Sequence, residues 1–394
     1  MIKREQYLNK LKKFKDKDII KVITGIRRCG KSTLFKLYID YLYENNISKE
    51  QIININFEDL QYEELLDYKK LYNYIMGKIE NKNKYYIFLD EIQNVTQFEK
   101  VVDSLFIKDN IDVYITGSNS KFMSGELATL LSGRYIEIKM LPLSFKEYYD
   151  VTSNKETSFR NYLMNSSFPY TLKLKDKEEV FTYLDGLYNT IIIKDVVERY
   201  KIQDISKFNS FIKFMFSNIS NVTSAKKISD TMTSMNRKIS PPTIETFLEI
   251  VTNSLLMYKV SRYDIKGKEY LKLLDKYYLS DVGLRYYLLG NKSDDYGNVL
   301  ENIVFLELIR RGYKVYVGKT DTLEVDFVAI DIENNTSYIQ VSASVVNEKT
   351  LERELKSLLN INDHNPKLLL TMDNVNPVDH NGIKQIYLLD WLLK

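Results

Sequence analysis

A glycine-rich loop near the amino terminus limits what this chain can fold into more than any other feature. It runs Gly-Ile-Arg-Arg-Cys-Gly-Lys-Ser from Gly25 to Ser32 and fits the pattern G-x-x-x-x-G-K-[ST] at every fixed position. A short apolar run precedes the loop, and apolar residues at helical spacing follow it over residues 32–44. A strand, such a loop and a helix together present backbone N–H groups and a helix N-terminus to phosphate. The loop therefore predicts an α/β fold with a nucleotide triphosphate site.

The same motif assigns roles to its side chains. We expect Lys31 to reach the β- and γ-phosphates of ATP, and the Ser32 hydroxyl to hold Mg²⁺. For Arg27 and Arg28 two alternatives stay open, contact with phosphate or a neighbouring chain, and exposure to solvent. Cys29 is expected to fill space. The residues predicted to bind the nucleotide are Gly25, Ile26, Arg27, Arg28, Cys29, Gly30, Lys31, Ser32 and Thr33.

Two acidic residues, Asp90 and Glu91, end a strongly apolar run over residues 85–89. The carboxyl ends of parallel strands meet at the edge of the sheet where the phosphates bind. We therefore expect Asp90 to bind Mg²⁺, through water, and Glu91 to polarise the water that attacks the γ-phosphate.

Polar residues near the next two strands supply further candidates. The strand over 113–116 ends in the run Thr-Gly-Ser-Asn-Ser, which begins at Thr116, and we expect Asn119, or else Ser118, to contact the γ-phosphate or the attacking water. The alternative is an ordinary turn of these residue types. Arg134 is a candidate for neutralising charge on the γ-phosphate, in its own subunit or across an interface. The alternative for Arg134 is a surface ion pair.

Residues 1–150 alternate short apolar runs with helical patterns, which predicts a parallel sheet covered on both faces. The expected strands cover residues 21–24, 51–57, 85–89, 113–116 and 135–138, and the expected helices 32–44, 68–79, 98–106 and 126–131. We therefore predict a nucleotide-binding domain over 1–150.

The pattern changes twice after this domain. Residues 151–205 read as a helical connector, and residues 206–290 as three short helices and a hairpin, the outline of a winged helix. Ser240 before two prolines is typical of a helix start, and Gly267 lies in the predicted hairpin turn. Residues 291–394 predict a small α/β unit, with helices over 299–311 and 349–360 and strands over 314–317, 324–330, 338–341 and, last, 367–370.

Charge and cysteine content exclude some classes of protein. The 56 basic and 53 acidic residues nearly cancel, so binding of nucleic acid through bulk charge is not indicated. One cysteine cannot form an internal disulfide, which favours a reducing compartment. No apolar run approaches the roughly 20 residues of a membrane-spanning helix, and the amino terminus lacks the apolar core of a signal peptide. We therefore expect a cytoplasmic protein with no membrane partner.

Together these motifs resemble a bacterial and archaeal family of ATPases that join an AAA-like P-loop domain to a C-terminal domain of unknown function. The resemblance covers nearly the whole chain and implies an extra strand between the P-loop strand and the Asp-Glu strand. It also implies a winged-helix middle and a C-terminal fold similar to PD-(D/E)xK nucleases. The motifs that carry it are GIRRCGKST, NINFED, IFLDEIQN, ITGSNSKFMSGELATLLSGRYIEIKMLPLSFKEY, KYYLSDVGLRYYLLG, GNVLENIVFLELIRRGYKVYVG and EVDFVAI.

The nuclease pattern needs an acid on a helix, then an Asp, then an acid and a lysine two residues apart. Glu301 and Asp326 occupy the first two places. Gln340 stands for the second acid and Ser342 for the lysine. A retained fold used for binding or packing is therefore favoured over an active nuclease, although Gln340 still offers a carbonyl oxygen to a metal.

The predicted winged helix carries little charge where DNA would be read. Its expected recognition helix contains Glu245 and Glu249 and no basic residue, whereas phosphate contact needs cations. Contact with DNA through the wing and flanks is one option, and a protein-interaction module is the favoured one. The basic residues nearby are Lys226, Lys227, Arg237, Lys238, Lys266 and Lys268.

Three functions follow from these motifs. The first is an ATPase whose hydrolysis changes the conformation of the other domains. The second is an ATP-dependent enzyme that binds or cuts DNA through Glu301, Asp326 and Gln340. The third is a nucleotide-dependent scaffold that recruits a protein partner. The nucleic-acid partner, the protein partner and the homo-oligomeric state are left open by the sequence.

Overall fold

A computed structural model describes residues 2–118, 131, 133–152, 154–290, 295–320 and 323–394. The chain divides into two units, Met1–Pro142 and Leu143–Lys394. In the part of the chain that the structure describes, no helix combines the length and apolar character needed to cross a membrane.

The first unit alternates strands and helices, as predicted from its apolar pattern. Its helices are α1 (Glu5–Lys13), α2 (Lys31–Glu44), α3 (Tyr68–Gly77) and α4 (Phe98–Phe106), and its strands are β1 (Ile20–Thr24), β2 (Ile52–Asn56), β3 (Tyr85–Asp90), β4 (Ile111–Gly117) and β5 (Tyr135–Lys139). Helix α1 was not predicted. The helix predicted over residues 126–131 lies outside the described residues, apart from Leu131.

The five strands form one parallel sheet in the order β2-β3-β4-β1-β5. Strand β4 lies between β1, which precedes the glycine-rich loop, and β3, which ends in Asp90. This is the extra strand that the family resemblance implied. Because all strands run the same way, Thr24, Asn56, Asp90 and Gly117 reach the same edge of the sheet.

The centre of this sheet is buried on both faces, which explains why β3 reads as a continuous apolar run. Every residue of β1, β3 and β4 is buried. Helix α4 packs its apolar face onto the sheet through Phe98, Val102 and Leu105. The sheet is thus a rigid support for the residues at its carboxyl edge.

The second unit begins with helices. They are α5 (Phe145–Tyr149), α6 (Lys155–Asn165), α7 (Lys177–Asn189), α8 (Ile205–Ser217), α9 (Ala225–Ser234), α10 (Pro241–Asn253), α11 (Val282–Leu289), α12 (Tyr296–Arg310), α13 (Glu348–Leu359) and α14 (Leu388–Leu393). The predicted start of α10 is confirmed, because the Ser240 hydroxyl accepts the N–H of Thr243 and proline follows directly. Helical turns over residues 190–198 continue α7.

Eight strands form a mixed sheet in the order β12-β13-β11-β10-β9-β8-β6-β7. They are β6 (Met257–Asp264), β7 (Glu269–Leu279), β8 (Lys314–Thr320), β9 (Leu323–Ile330), β10 (Thr336–Ser342), β11 (Lys367–Thr371), β12 (Val378–His380) and β13 (Ile383–Tyr387). The expectation that the last strand covers 367–370 was wrong, because β12, β13 and α14 follow it.

The predicted hairpin is present, and its turn is held by Asp264. The carboxylate of Asp264 accepts the N–H groups of Lys266, at 3.1 Å, and of Gly267, at 3.0 Å. Strand β6 also pairs in parallel with β8, from Arg262 opposite Val317 to Asp264 opposite Lys319. The hairpin of the predicted winged helix therefore belongs to the same sheet as the C-terminal strands.

Candidate nucleotide site

The glycine-rich loop connects the end of β1 at Thr24 to the start of α2 at Lys31. Two of its residues have left-handed backbone conformations, Arg28 with φ 66° and Gly30 with φ 110°. Gly25 is needed for a different reason, since a Cβ atom there would lie 2.3 Å from the carbonyl oxygen of Met140. Successive turns of opposite hand aim backbone N–H groups into one concavity, which suits an anion.

Lys31 is buried at the start of α2, with 4% of its surface exposed. Its ammonium donates to the carbonyl oxygen of Gly25 at 3.1 Å and lies 3.4 Å from the Glu91 carboxylate. Burial alone would lower the pKa of Lys31, but the charge of Glu91 outweighs burial and raises this pKa above its ordinary value. The amine is therefore a permanent cation at the loop.

Glu91 follows β3 and adopts a left-handed backbone conformation with φ 54°. Its carboxylate accepts hydrogen bonds from the Ser118 hydroxyl at 2.8 Å and from the Gln93 amide at 2.5 Å. Burial acts to raise the pKa of Glu91, yet the Lys31 ammonium and these two donors hold it below its ordinary value. Glu91 is therefore ionised at neutral pH, as a general base must be.

Asp90 is joined to Glu91 through Thr116, at the end of β4. The Thr116 hydroxyl donates to the Asp90 carboxylate at 2.5 Å and accepts the backbone N–H of Glu91 at 2.9 Å. Burial raises the pKa of Asp90 above its ordinary value, although hydrogen bonds from Ser32 and Thr116 oppose this rise. The two neighbouring carboxyl groups thus have pKa values shifted in opposite directions.

This oxygen set fits a hard divalent cation such as Mg²⁺. The Ser32 hydroxyl and the Asp90 carboxylate are close enough to hydrogen-bond, and both are ligand types that Mg²⁺ prefers. Asp90 is 3% exposed, so its charged form needs a cation or donors nearby. The two residues predicted as metal ligands therefore stand together beside the loop.

Two further loop residues lie in different surroundings, Arg27 beside an exposed partner and Cys29 in the core. The Arg27 guanidinium pairs with the exposed carboxylate of Glu58 at 2.7 Å. Cys29 is fully buried, and burial raises the pKa of its thiol. Its side chain therefore fills space behind the loop and offers little thiolate for chemistry.

The three further candidates, Asn119, Ser118 and Arg134, have different outcomes. Asn119 lies outside the described residues, whereas Ser118, the second choice, contacts Glu91. Arg134 precedes β5, and its carbonyl accepts the N–H of Ile20 at the amino end of β1. Ile20 lies about 13 Å from Thr24, where the glycine-rich loop begins, because each strand residue adds roughly 3.3 Å. Its guanidinium lies over the Phe106 ring, 5.8 Å from the ring centre. This position does not favour a role for Arg134 on phosphate in its own subunit.

Sequence reasoning missed two residues of this site. Thr116 is the penultimate residue of β4 and lies beside Asp90 of β3, and Gln93 lies two residues after Glu91. Both belong to motifs that were noticed, TGS and DEIQN, but their side chains were not given roles. Parallel pairing of β3 with β4 was the available signal, because it brings the ends of both strands together.

The second unit contains an acidic cluster around one lysine of β7. The Lys276 ammonium lies 2.8 Å from both Glu301 and Glu324 and 3.8 Å from Asp326. Tyr278 donates a further hydrogen bond to Glu301 at 2.6 Å. Burial acts to lower the pKa of Lys276, but the surrounding carboxylates raise it. Lys276 is therefore a fixed cation among these acids.

The residues of the nuclease pattern do not fit a metal ion in this arrangement. Lys276 already supplies the positive charge between Glu301 and Asp326. Gln340 turns its amide to other partners, since its oxygen accepts the N–H of Asp326 and its nitrogen donates to Glu354. Burial and the charge of Glu301 raise the pKa of Asp326 well above its ordinary value. No free ligand set is left among these residues.

Comparison with known proteins agrees with the nucleotide site. A family profile described as an AAA domain matches residues 17–149, and one described as a domain of unknown function, DUF8612, matches residues 156–295. An uncharacterized protein of Haemophilus influenzae is 41% identical over 100% of this chain and 99% of its own length. The chain belongs to this family of AAA-domain proteins.

A second relative is archaeal, and a solved structure has a fold similar to that of this chain. An uncharacterized protein of Methanocaldococcus jannaschii is 33% identical over 91% of this chain and 80% of its own length. The Walker-type ATPase PABY2304 of Pyrococcus abyssi covers 73% of this chain and 96% of its own, at 17% identity and a TM-score of 0.50. The fold of this chain is therefore similar to that of a Walker-type ATPase.

Proposed function

We propose that this protein binds ATP with Mg²⁺ and hydrolyses it. The observation that carries the proposal is the pair of carboxylates beside the loop, joined through Thr116 and facing the Lys31 ammonium. Asp90 and Glu91 have pKa values shifted apart, which is typical of acids with different roles in one site. A loop that only bound nucleotide would not need the second acid.

Each residue has one task in this proposal. The loop N–H groups and Lys31 bind the β- and γ-phosphates, and Ser32 and Asp90 hold Mg²⁺, which neutralises charge on the phosphates. Glu91 orients the attacking water and takes up its proton. Ser118 and Gln93 keep the Glu91 carboxylate in place through their hydrogen bonds. Within the same scheme, we propose that Arg134 acts at a subunit interface and that Asn119 contacts the γ-phosphate.

We also propose that hydrolysis changes the conformation of the second unit, and that this unit combines a winged-helix arrangement before residue 290 with a nuclease-like fold after it, the two sharing one sheet. The helical order of α8, α9 and α10 before the hairpin supports the first description. The place of Glu301 on α12 and of Asp326 on β9 supports the second. Because the Lys276 ammonium already pairs with these acids, we propose binding or packing for the nuclease-like fold in preference to cutting DNA.

The test is steady-state ATP hydrolysis by the wild type, Lys31→Ala and Glu91→Gln, with and without duplex or single-stranded DNA. We expect Lys31→Ala to lose ATP binding, and Glu91→Gln to bind ATP while kcat falls at least roughly 100-fold. Glu63→Gln is the matched control, since it makes the same chemical change at an exposed site.

The outcomes separate the proposals. Unchanged ATP affinity in Lys31→Ala would contradict the nucleotide site itself. ATP binding by the wild type without Glu91-dependent hydrolysis would favour the scaffold. Activity that rises with DNA would support a DNA-coupled enzyme, and activity indifferent to DNA would support a protein partner.

A further inference from the structure

Arg4 is a buried arginine outside the nucleotide-binding motif, at the start of α1. Only 3% of its surface is exposed. Its guanidinium donates to the carbonyl oxygen of Cys29 at 2.9 Å and to that of Leu141 at 2.6 Å. The side chain thus joins the amino terminus, the glycine-rich loop and the segment that follows β5.

The backbone of Arg4 shows that this position is constrained. Its φ of 48° and ψ of 45° are left-handed, a conformation that is uncommon for residues other than glycine. Such a backbone persists only where surrounding contacts hold it, and it is more frequent at functional sites. The contacts here include the Tyr7 ring, whose centre lies 4.9 Å from the guanidinium carbon.

The bond from Arg4 to Cys29 determines the direction of one peptide group in the loop. A trans peptide is planar, and its C=O and N–H point in opposite directions. Among the described residues no peptide is cis. Because the Cys29 carbonyl points at Arg4, the N–H of Gly30 points to the opposite side of the peptide plane, away from Arg4. That N–H is one of the donors with which a loop of this type binds phosphate.

The second bond of Arg4 supports the same loop from behind. Leu141 is held on its other side by the Tyr7 hydroxyl, which accepts the Leu141 N–H at 3.1 Å. The neighbouring carbonyl of Met140 is the group that a side chain at Gly25 would meet. One guanidinium therefore joins two backbone carbonyls that border the loop through two separate nitrogens, and its planar fork fixes their spacing in a way that a single ammonium nitrogen does not.

We infer that Arg4 is a positioning residue of the nucleotide site. By binding the Cys29 carbonyl, it keeps the Gly30 N–H directed at the phosphates of the nucleotide. The inference rests on the proposed nucleotide-binding function, and it assigns to the N-terminal helix a role in binding. Since Arg4 acts on the loop before any chemistry, its loss weakens binding of ATP and ADP alike.

The experiment uses the full chain labelled with ¹⁵N-glycine, and its probe is ADP with Mg²⁺. In the wild type we expect the Gly30 amide resonance to move strongly when ADP binds. In Arg4→Met we expect ADP affinity to fall about ten-fold and this movement to be lost, because the peptide is free to rotate. With ATP, KM should rise by a similar factor while kcat changes less than three-fold.

Lys13→Met is the matched control, because it removes an exposed cation of the same helix and leaves Arg4 in place. It should keep the affinity and the Gly30 response of the wild type. Arg4→Lys, which keeps the charge but lacks the planar two-nitrogen fork, should lie between the wild type and Arg4→Met. This variant also serves if Arg4→Met fails to fold.

Three results would overturn these claims. If the wild type binds ADP, and both Arg4 variants keep its affinity and its Gly30 response, Arg4 does not position the loop. Equal losses in Lys13→Met and Arg4→Met would overturn the inference as well, because they would indicate a general effect of charge on the N-terminal helix. If the wild type binds no nucleotide, the proposed function fails first.

Discussion

Thr116 connects the two acids of the nucleotide site through a single hydroxyl group. It donates to Asp90 and accepts from the backbone of Glu91, so it acts on the charge of one acid and the position of the other. A hydrogen bond to the charged form of a carboxylate favours that form. Thr116 therefore offsets part of the rise in pKa that burial causes at Asp90.

Thr116→Val should move the acid limb of the pH–activity profile to higher pH. Without the hydroxyl, the pKa of Asp90 rises further, so activity that needs the ionised form is lost at a higher pH as the solution is acidified. We also expect kcat at neutral pH to fall about ten-fold, since a hydrogen bond to a charged group is removed. The measurement is kcat across pH at saturating ATP and Mg²⁺.

The control for this change is Thr96→Val, the same substitution at an exposed position whose hydroxyl bonds the Leu66 carbonyl. It should leave the acid limb where it is in the wild type. An acid limb that moves to lower pH in Thr116→Val, or does not move, would contradict the role given to the hydroxyl.

At the scale of single residues, the sequence predicted those residues whose positions within a motif are fixed. Lys31, Ser32, Asp90 and Glu91 stand together as expected, because their spacing from a strand end determines where they lie. Arg4 and Thr116 could not be assigned, since their roles depend on contacts between segments distant in the chain. No spacing rule links Arg4 to the Cys29 carbonyl.

At the scale of elements, two helical glycines in the second unit differ in their surroundings. A Cβ at Gly283, in α11, would lie 2.2 Å from the Cα of Ser166, whereas one at Gly186, in α7, would meet nothing within 4 Å. The first glycine allows a close approach of two backbones. The second lies on the exposed face of its helix and only adds flexibility there.

Gly283→Ala and Gly186→Ala should therefore change stability in opposite directions. We expect Gly283→Ala to lower the free energy of unfolding by about 1–3 kcal/mol or more, through overpacking. Gly186→Ala should raise it by about 0.5–1 kcal/mol, because alanine restricts the unfolded chain and favours the helix. The midpoint of urea unfolding measures both, and equal shifts of one sign would contradict the packing argument.

Most elements of the core could be predicted because their apolar periods are strong. Strands β1 to β5 and helices α2 to α4 agree with the predicted ranges to within a few residues. Helix α1 was missed because charged residues dominate its sequence and its two buried residues, Tyr7 and Leu11, are too few to show an apolar period. Strand β12 was missed because its three residues are too few to show a period.

At the scale of the whole chain, the hairpin cannot be separated from the C-terminal strands. Strand β6 pairs with β7 on one side and with β8 on the other. Lys276 of β7 meets carboxylates that all follow residue 290 in the sequence. The sequence placed a domain boundary at this residue because local periods cannot show which distant strands pair.

A chain shortened to end at Gly290 should therefore aggregate. It would expose the free edge of β6 and leave Lys276 buried without its acidic partners, both of which destabilise a folded chain. A chain shortened to end at Pro142 keeps the whole parallel sheet and should remain monodisperse and bind ATP. Size-exclusion chromatography and ATP binding test both chains, and a monodisperse chain of residues 1–290 would contradict the argument.

The buried thiol of Cys29 has a consequence for redox behaviour. It is the sole cysteine of the chain, and it sits in the wall of the glycine-rich loop with its pKa raised by burial. Oxidants and electrophiles attack thiolates that solvent can reach. The folded loop therefore protects its own sulfur, and modification requires that the loop first open. The rate at which the Cys29 thiol is modified therefore reports how often the loop opens, and we expect a bound nucleotide to lower this rate.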